Sequence, residues 1–384
     1  YIKKQLFCKG LMLLEKDNLS FKKILVIASL FFGMIFGAGN LIFPVHLGQM
    51  AGSNWLVSGL GFLASGVLLP LLALMALSIT RSNGLYELAR PVGMSFASIL
   101  LVLIHLTIGP FAATPRTATV PYEIGFAPYL PAGMQKWGLL IFTGIFFILV
   151  FALSITEGNI TDLIGKVLNP LFIVLLFVIF LMAFINPLGK AGTTAVTAAY
   201  RSAGFTNGFL QGYNTMDALA ALIFGVAVIT AIKELGITKQ KDVSLTLAKS
   251  GLWGMLAIGV IYVCLIWLGA SSLHQFKLAS NGGITLSQIS HYYMGVFGNV
   301  LLATLTTITC LTTAMGLVIA FAEDFHKRFP KISYKTFLLG NCLLSFIFAN
   351  LGLDRIVAWS TPVLMFIYPV AISVILLGLL SPNF

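Results

Sequence analysis

Four polar interruptions inside long apolar stretches hold the residues that could do chemistry. The first is Phe31–Pro44, FFGMIFGAGNLIFP, with Gly33, Gly37, Gly39 and Asn40 in its middle. An interior glycine costs a helix about 1 kcal/mol, and lipid supplies no partner for a freed peptide group. The stretch therefore predicts a helix that stops, turns backbone toward a cavity, and restarts toward Pro44. Gly37, Ala38, Gly39 and Asn40 would begin the second half-helix, whose free N–H groups and positive dipole end suit a carboxylate. Gly33 and Gly37 also form a GxxxG pair that suits close helix packing. Asn40 favours the first reading, because a polar side chain at this depth needs a reason.

The second interruption runs from Gly208 to Asp217, GFLQGYNTMD. Unwound carbonyls at Gly212, Tyr213, Asn214 and Thr215 could accept from an ammonium group. Asp217 adds a carboxylate where burial in lipid costs about 2.5–3.5 kcal/mol or more. It reads as a proton-titrating coupling residue, as the anchor of a polar network, or as an interfacial cap on the second half-helix.

The third is threonine-rich, Thr304–Gly316, with Thr306, Thr309 and Thr313 on one helical face. Neutral hydroxyl and carbonyl oxygens suit a small hard cation, although membrane threonines also back-bond to their own helix. The fourth, Gly109–Glu123, places Arg116 and Glu123 seven residues apart on one face. They could form a gate across the cavity or a buried pair that only orients the helix. His105 is expected to be a hydrogen-bonded structural histidine.

The elements that must position these groups are membrane helices. Of 384 residues 58% are hydrophobic and 9% charged, with mean hydropathy +0.98. A soluble core cannot use so much apolar surface, so an all-α polytopic membrane protein is expected. The net charge of +11 is scattered between apolar spans, which is the pattern of membrane loops and argues against nucleic acid. Cys8, Cys264, Cys310 and Cys342 have no metal spacing and read as ordinary thiols. No removable signal peptide is expected, and Met12 is a candidate start.

No acidic or basic residue occurs over the 57 residues from Ile24 to Thr80, too long for one crossing. Dividing such gaps gives ten spans: about 24–46, 55–78, 95–120, 137–155, 167–186, 208–232, 250–270, 298–321, 336–352 and 357–380. With the N-terminus inside, 17 of the 23 basic residues are cytoplasmic, and only Arg116, Lys136, Lys190, Arg201, Lys277 and Arg355 are not. The N-terminus is therefore expected in the cytoplasm. Interrupted helices at spans 1 and 6 point to a five-plus-five inverted repeat, 24–186 and 208–380, within a single transporter domain.

FFGMIFGAGNLIFPVHLGQMAG from Phe31 closely resembles the opening signature of the bacterial branched-chain amino acid:cation symporters. GPFAATPRTATVPYEIG, GYNTMDALAALIFG and CLTTAMGL are similar to that family too, in the family's order. The resemblance implies a LeuT-like fold of the amino acid–polyamine–cation superfamily, in the bacterial plasma membrane. It implies uptake of leucine, isoleucine and valine with Na+ or H+, and no cofactor. It places substrate contacts at Ala38, Gly39 and Asn40, with partners from Tyr213 to Asp217. Its sodium ligands would be carbonyls of Gly33, Phe36 and Thr309 and hydroxyls of Thr312 and Thr313. Family members usually have twelve spans, so the last two are expected to be missing here. An exporter or a carrier of another small zwitterion is the alternative within this class. A channel would not need two interrupted helices. A membrane enzyme would want a His/Cys/Asp cluster, and none is found. Oligomeric state is left open.

Overall fold

The computed structural model describes residues 21–155 and 169–381, which contain helices and turns and no strand. Lys3, Lys4, Cys8, Lys9, Met12, Lys16, Glu157, Asn159, Asp162 and Lys166 lie outside the described residues, as do residues 382–384. The first half comprises α1 (Phe21–Ile35), α2 (Ala38–Ala51), α3 (Trp55–Leu63) and α4 (Leu69–Thr80). It continues with α5 (Leu85–Ala89), α6 (Met94–Leu106), α7 (Ala113–Gly125), α8 (Ala132–Ile155) and α9 (Asn169–Ile185). The second half comprises α10 (Ala198–Gly212), α11 (Asp217–Glu234), α12 (Gln240–Ser272), α13 (Gly282–Arg328), α14 (Tyr334–Ala349) and α15 (Leu353–Leu380).

Among the described residues, seven helical runs are long and apolar enough to cross a membrane, and Leu171–Ile185 and Tyr334–Ala349 are shorter apolar helices. The first run, Ala38–Thr80, turns at Gly52–Asn54 and so carries the end of span 1 and all of span 2. With α1 as the beginning of span 1, the ten expected segments are all found. Outward faces such as Ile141, Ile145 and Ile148 of α8 are exposed, as lipid-facing side chains are.

Span 1 breaks at Phe36 and Gly37. Gly37 is extended (φ −134°, ψ −161°), and its N–H donates to Asn40 Oδ1 at 2.8 Å. Asn40 thus caps its own half-helix from the third position. A Cβ on Gly37 would lie 3.1 Å from Thr313 Cγ2, so bulk is disfavoured there. Pro44, inside α2, has no N–H to give the carbonyl of Asn40.

Span 6 breaks differently. After α10 comes one tight turn, Tyr213–Thr215, and then Met216 with φ 61° and ψ 16°. A non-glycine residue in the left-handed region costs about 1–2 kcal/mol. It persists only where neighbours over-determine the backbone.

Two glycine seams hold the broken helices in place. A Cβ on Gly208 would lie 1.9 Å from Ser58 O, and one on Gly61 would lie 2.0 Å from Phe205 O. α3 and α10 therefore touch backbone to backbone, as small-residue helix pairs do in membranes. Gly48 of α2 meets Ile266 O of α12 in the same way, and Gly269 of α12 meets Val45 O.

Span 3 is irregular at Thr107–Phe111, where Gly109 is non-helical (ψ −121°), Pro110 follows, and Ala112 N–H reaches back to Thr107 O at 3.1 Å. Such a wide turn re-aims the helix that follows, here α7 with Arg116. α13 is interrupted at Gly295 (φ 62°), between an entry segment and the threonine-rich span 8.

Candidate functional site

The breaks in spans 1 and 6 meet. Asn40, Asp217 and Tyr262 are 2%, 1% and 0% exposed, so this polar contact is sealed from bulk solvent. Asn40 Nδ2 donates to Asp217 Oδ1 at 2.9 Å and Oδ2 at 3.0 Å, and it also meets the Tyr262 hydroxyl. That hydroxyl donates to Asp217 Oδ2 at 2.5 Å. A buried carboxylate without donors would be costly; here two neutral donors serve it, and the first turn of α11 favours negative charge. Asp217 thus shares a polar network with Asn40 and Tyr262 and begins the α11 half-helix.

A cavity adjoins this network. It has about 50 Å³ in which the centre of a water-sized sphere fits, room for roughly four waters. Gly37, Ala38, Gly39 and Asn40 line one side, and Asn214, Thr215, Met216 and Asp217 line another. The first N–H groups of α2 have no acceptor within their own helix. Ile108, Phe224 and Leu317 supply apolar wall. Arg116, Thr117 and Thr313 complete the polar part.

Other expected residues sit elsewhere. Gly212 does not line the cavity: a Cβ there would lie 2.0 Å from Ser65 Oγ, because α10 is pressed against span 2. Tyr213 is also turned away, and its ring stacks on Tyr368 at 3.9 Å. Arg116 and Glu123 form no ion pair. Seven residues of helix rise about 10.5 Å, so a shared face does not bring them into contact. Arg116 instead donates from Nη1 to Asn214 O at 2.8 Å and from Nη2 to Ser360 Oγ at 2.5 Å. His105 is hydrogen-bonded, with Nε2 2.8 Å from Asp324 Oδ2.

The threonines divide. Thr304 and Thr307 back-bond to Val300 O and Ala303 O at 2.8 and 2.7 Å. Thr312 and Thr313 both donate to Thr309 O, at 2.8 and 3.0 Å, which leaves their lone pairs free to accept. Thr313 is packed against Gly37, so span 8 touches the break in span 1. Gly33 lies in the last turns of α1, and Phe36 immediately follows that helix. Among the described residues no three His, Cys, Asp or Glu gather as a metal site. A hard ion here would depend on these neutral oxygens.

Sequence reasoning missed Tyr262, Ser360, Thr361 and the left-handed backbone of Met216. Tyr262 is a lone hydroxyl in apolar span 7, and that was its only signal. Met216 carries no glycine signature despite its backbone. Ser360 and Thr361 of α15 clamp the second break, the latter donating to Asn214 Oδ1 at 2.8 Å.

A helical membrane protein in which two half-broken spans face each other across a partly polar cavity is a transporter of the discontinuous-helix class. The structure of MhsT in complex with L-phenylalanine has the same fold, with TM-score 0.61 over 94% of this chain and 89% of that one, at 16% identity. The profile of the family described as "Branched-chain amino acid transport protein" matches residues 20–384. The chain belongs to that family, and its relatives are named as permeases and carriers, not enzymes. Branched-chain amino acid permease BrnQ of Lactobacillus delbrueckii subsp. lactis is 45% identical over 371 residues, covering 96% of this chain and 83% of that protein. Branched-chain amino acid permease BraB of Bacillus subtilis is 42% identical over 372 residues, covering 96% and 82%. The Branched-chain amino acid transport system 2 carrier protein of Pseudomonas aeruginosa is 38% identical over 356 residues, covering 93% and 80%.

Proposed function

We propose that this protein is a secondary symporter that imports leucine, isoleucine and valine with Na+ or H+ by alternating access. The observation that carries the reading is the cavity itself: Gly37–Asn40 at the start of α2 line one side, Asn214–Asp217 of the second break line another, and Ile108, Phe224 and Leu317 form apolar wall. A zwitterion with an aliphatic side chain matches that lining. A hydrophobic pocket separates one methylene by only about 1–3 kcal/mol, so the three substrates should compete. The names of the permeases at 45% and 42% identity support the same substrate class.

Carbonyls of Gly33, Phe36 and Thr309 with hydroxyls of Thr312 and Thr313 are the proposed ligands if sodium is the coupling ion. Asp217 is the proposed carrier if the ion is a proton. Residues 24–186 and 208–380 are read as inverted repeats, with the N-terminus on the cytoplasmic side of a bacterial plasma membrane.

The test is labelled leucine uptake into proteoliposomes, driven first by a sodium gradient alone and then by a pH gradient alone. Saturable uptake under one gradient supports the symporter and names its ion. Absence of uptake under both overturns it. Failure of unlabelled isoleucine and valine to compete would point to another small zwitterion.

A further inference from the structure

We propose that Arg116 is the residue that takes the substrate's carboxylate, a specificity-determining contact and not a gate. This rests on the transporter reading and adds to it the group that recognises one end of the zwitterion.

Arg116 is 2% exposed and lines the cavity. Among the described residues its guanidinium contacts only neutral groups: Asn214 O at 2.8 Å, Ser360 Oγ at 2.5 Å and the Phe43 ring at 5.0 Å. Nε is buried and has no hydrogen-bond partner. Among the described residues the one ion pair is His105 with Asp324, so no described carboxylate lies within 4 Å of this charge. A permanent cation buried without an anion is costly, and arginine cannot shed its proton to escape that cost. An arrangement that keeps one is completed by an anion that comes and goes. The planar fork of donors matches a carboxylate in two-point contact.

The cavity's other ionisable group supports the assignment. Asp217 lines the same space, and its oxygens are already served by Asn40 and Tyr262. The cavity therefore presents one positive and one negative group, as a bound zwitterion requires. The glutamate seven residues further along the helix makes no hydrogen bond or ion pair with Arg116, so the guanidinium is not already neutralised from that side.

The experiment compares inhibition of labelled leucine binding to the full-length protein by unlabelled leucine and by L-leucinol, which has a hydroxymethyl group in place of the carboxylate. Wild type should prefer leucine by about 10- to 150-fold, the range of a hydrogen bond to a charged group. In Arg116→Gln leucine should weaken toward leucinol while leucinol is unmoved, and Arg116→Lys should fall between. A preference retained in Arg116→Gln overturns the proposal. A clamp that only shaped the helix would weaken both ligands together, which also overturns it. Should both variants fail to fold, the leucine-bound wild-type structure decides. A carboxylate within hydrogen-bond distance of the Arg116 guanidinium supports the assignment, and one held by the α2 amides alone overturns it. Wild-type protein that binds no leucine at all would instead overturn the transporter reading.

Discussion

Asn40 and Asp217, 177 residues apart, share one amide group: Nδ2 of the first lies 2.9 and 3.0 Å from the two carboxylate oxygens of the second. The same Asn40 side chain accepts the N–H of Gly37. One residue therefore caps the restart of span 1 and ties it to the restart of span 6. The breaks of spans 1 and 6 are a single joint.

Asn40→Ala should abolish leucine uptake while the protein still reaches the membrane. It removes the Gly37 cap and leaves Asp217 short of a donor. Asp217→Asn should be similarly inactive, and the double variant no worse than either single one, because residues of one network are not additive. Uptake assays with surface quantification of all three variants check this. Normal uptake by Asn40→Ala would remove the joint from the mechanism.

Tyr262→Phe deletes the hydroxyl that donates to Asp217 at 2.5 Å and keeps the ring packed against Phe62 at 5.1 Å. Loss of a hydrogen bond to a buried carboxylate costs about 1–3 kcal/mol. The expected result is a lower unfolding temperature in detergent together with reduced uptake. An unchanged melting curve would mean that the carboxylate finds another donor.

Thr312→Val and Thr313→Val keep side-chain volume and remove one hydroxyl each. With sodium as the coupling ion, each should raise the half-saturating sodium concentration about tenfold or more and leave the ranking of leucine, isoleucine and valine unchanged. Uptake measured across a sodium series reads this directly. An unaltered sodium dependence in both would exclude these hydroxyls as ligands.

Gly208→Leu should prevent assembly, since even a Cβ at that position lies 1.9 Å from Ser58 O, a backbone atom that cannot swing aside. Gly133, with nothing within 4 Å of a Cβ, is the control. Gly133→Ala should be neutral, or stabilising by up to about 1 kcal/mol from helix propensity. Size-exclusion profiles and thermal unfolding of the purified variants distinguish the two.

Much of this was legible in the chain. Span positions followed from gaps between charges, because lipid excludes ionised side chains so strongly. Both breaks were legible from glycine and polar residues where a continuous helix would be expected. The partners were not. Tyr262 brings no periodicity, only one hydroxyl among apolar neighbours, and its role exists only once span 7 is packed. Ser360 and Thr361 belong to a helix more than a hundred residues away from the break they clamp. The Arg116–Glu123 spacing misled because helical phase reports direction and not distance. Gly212 and Tyr213 were expected at the ligand because they belong to the break, yet packing against Ser65 and Tyr368 turns them from it.

The glycine seam between α2 and α12 constrains how such a molecule can change shape. Gly48 and Gly269 interlock main chain with main chain, so neither helix can slip lengthwise without driving a neighbouring side chain into a peptide group. The second segment of span 1 must travel together with span 7, like two teeth of one cog. The backbone departs from helical torsions at Gly37 and Met216, so in these two spans bending, not sliding, is the movement the packing leaves open.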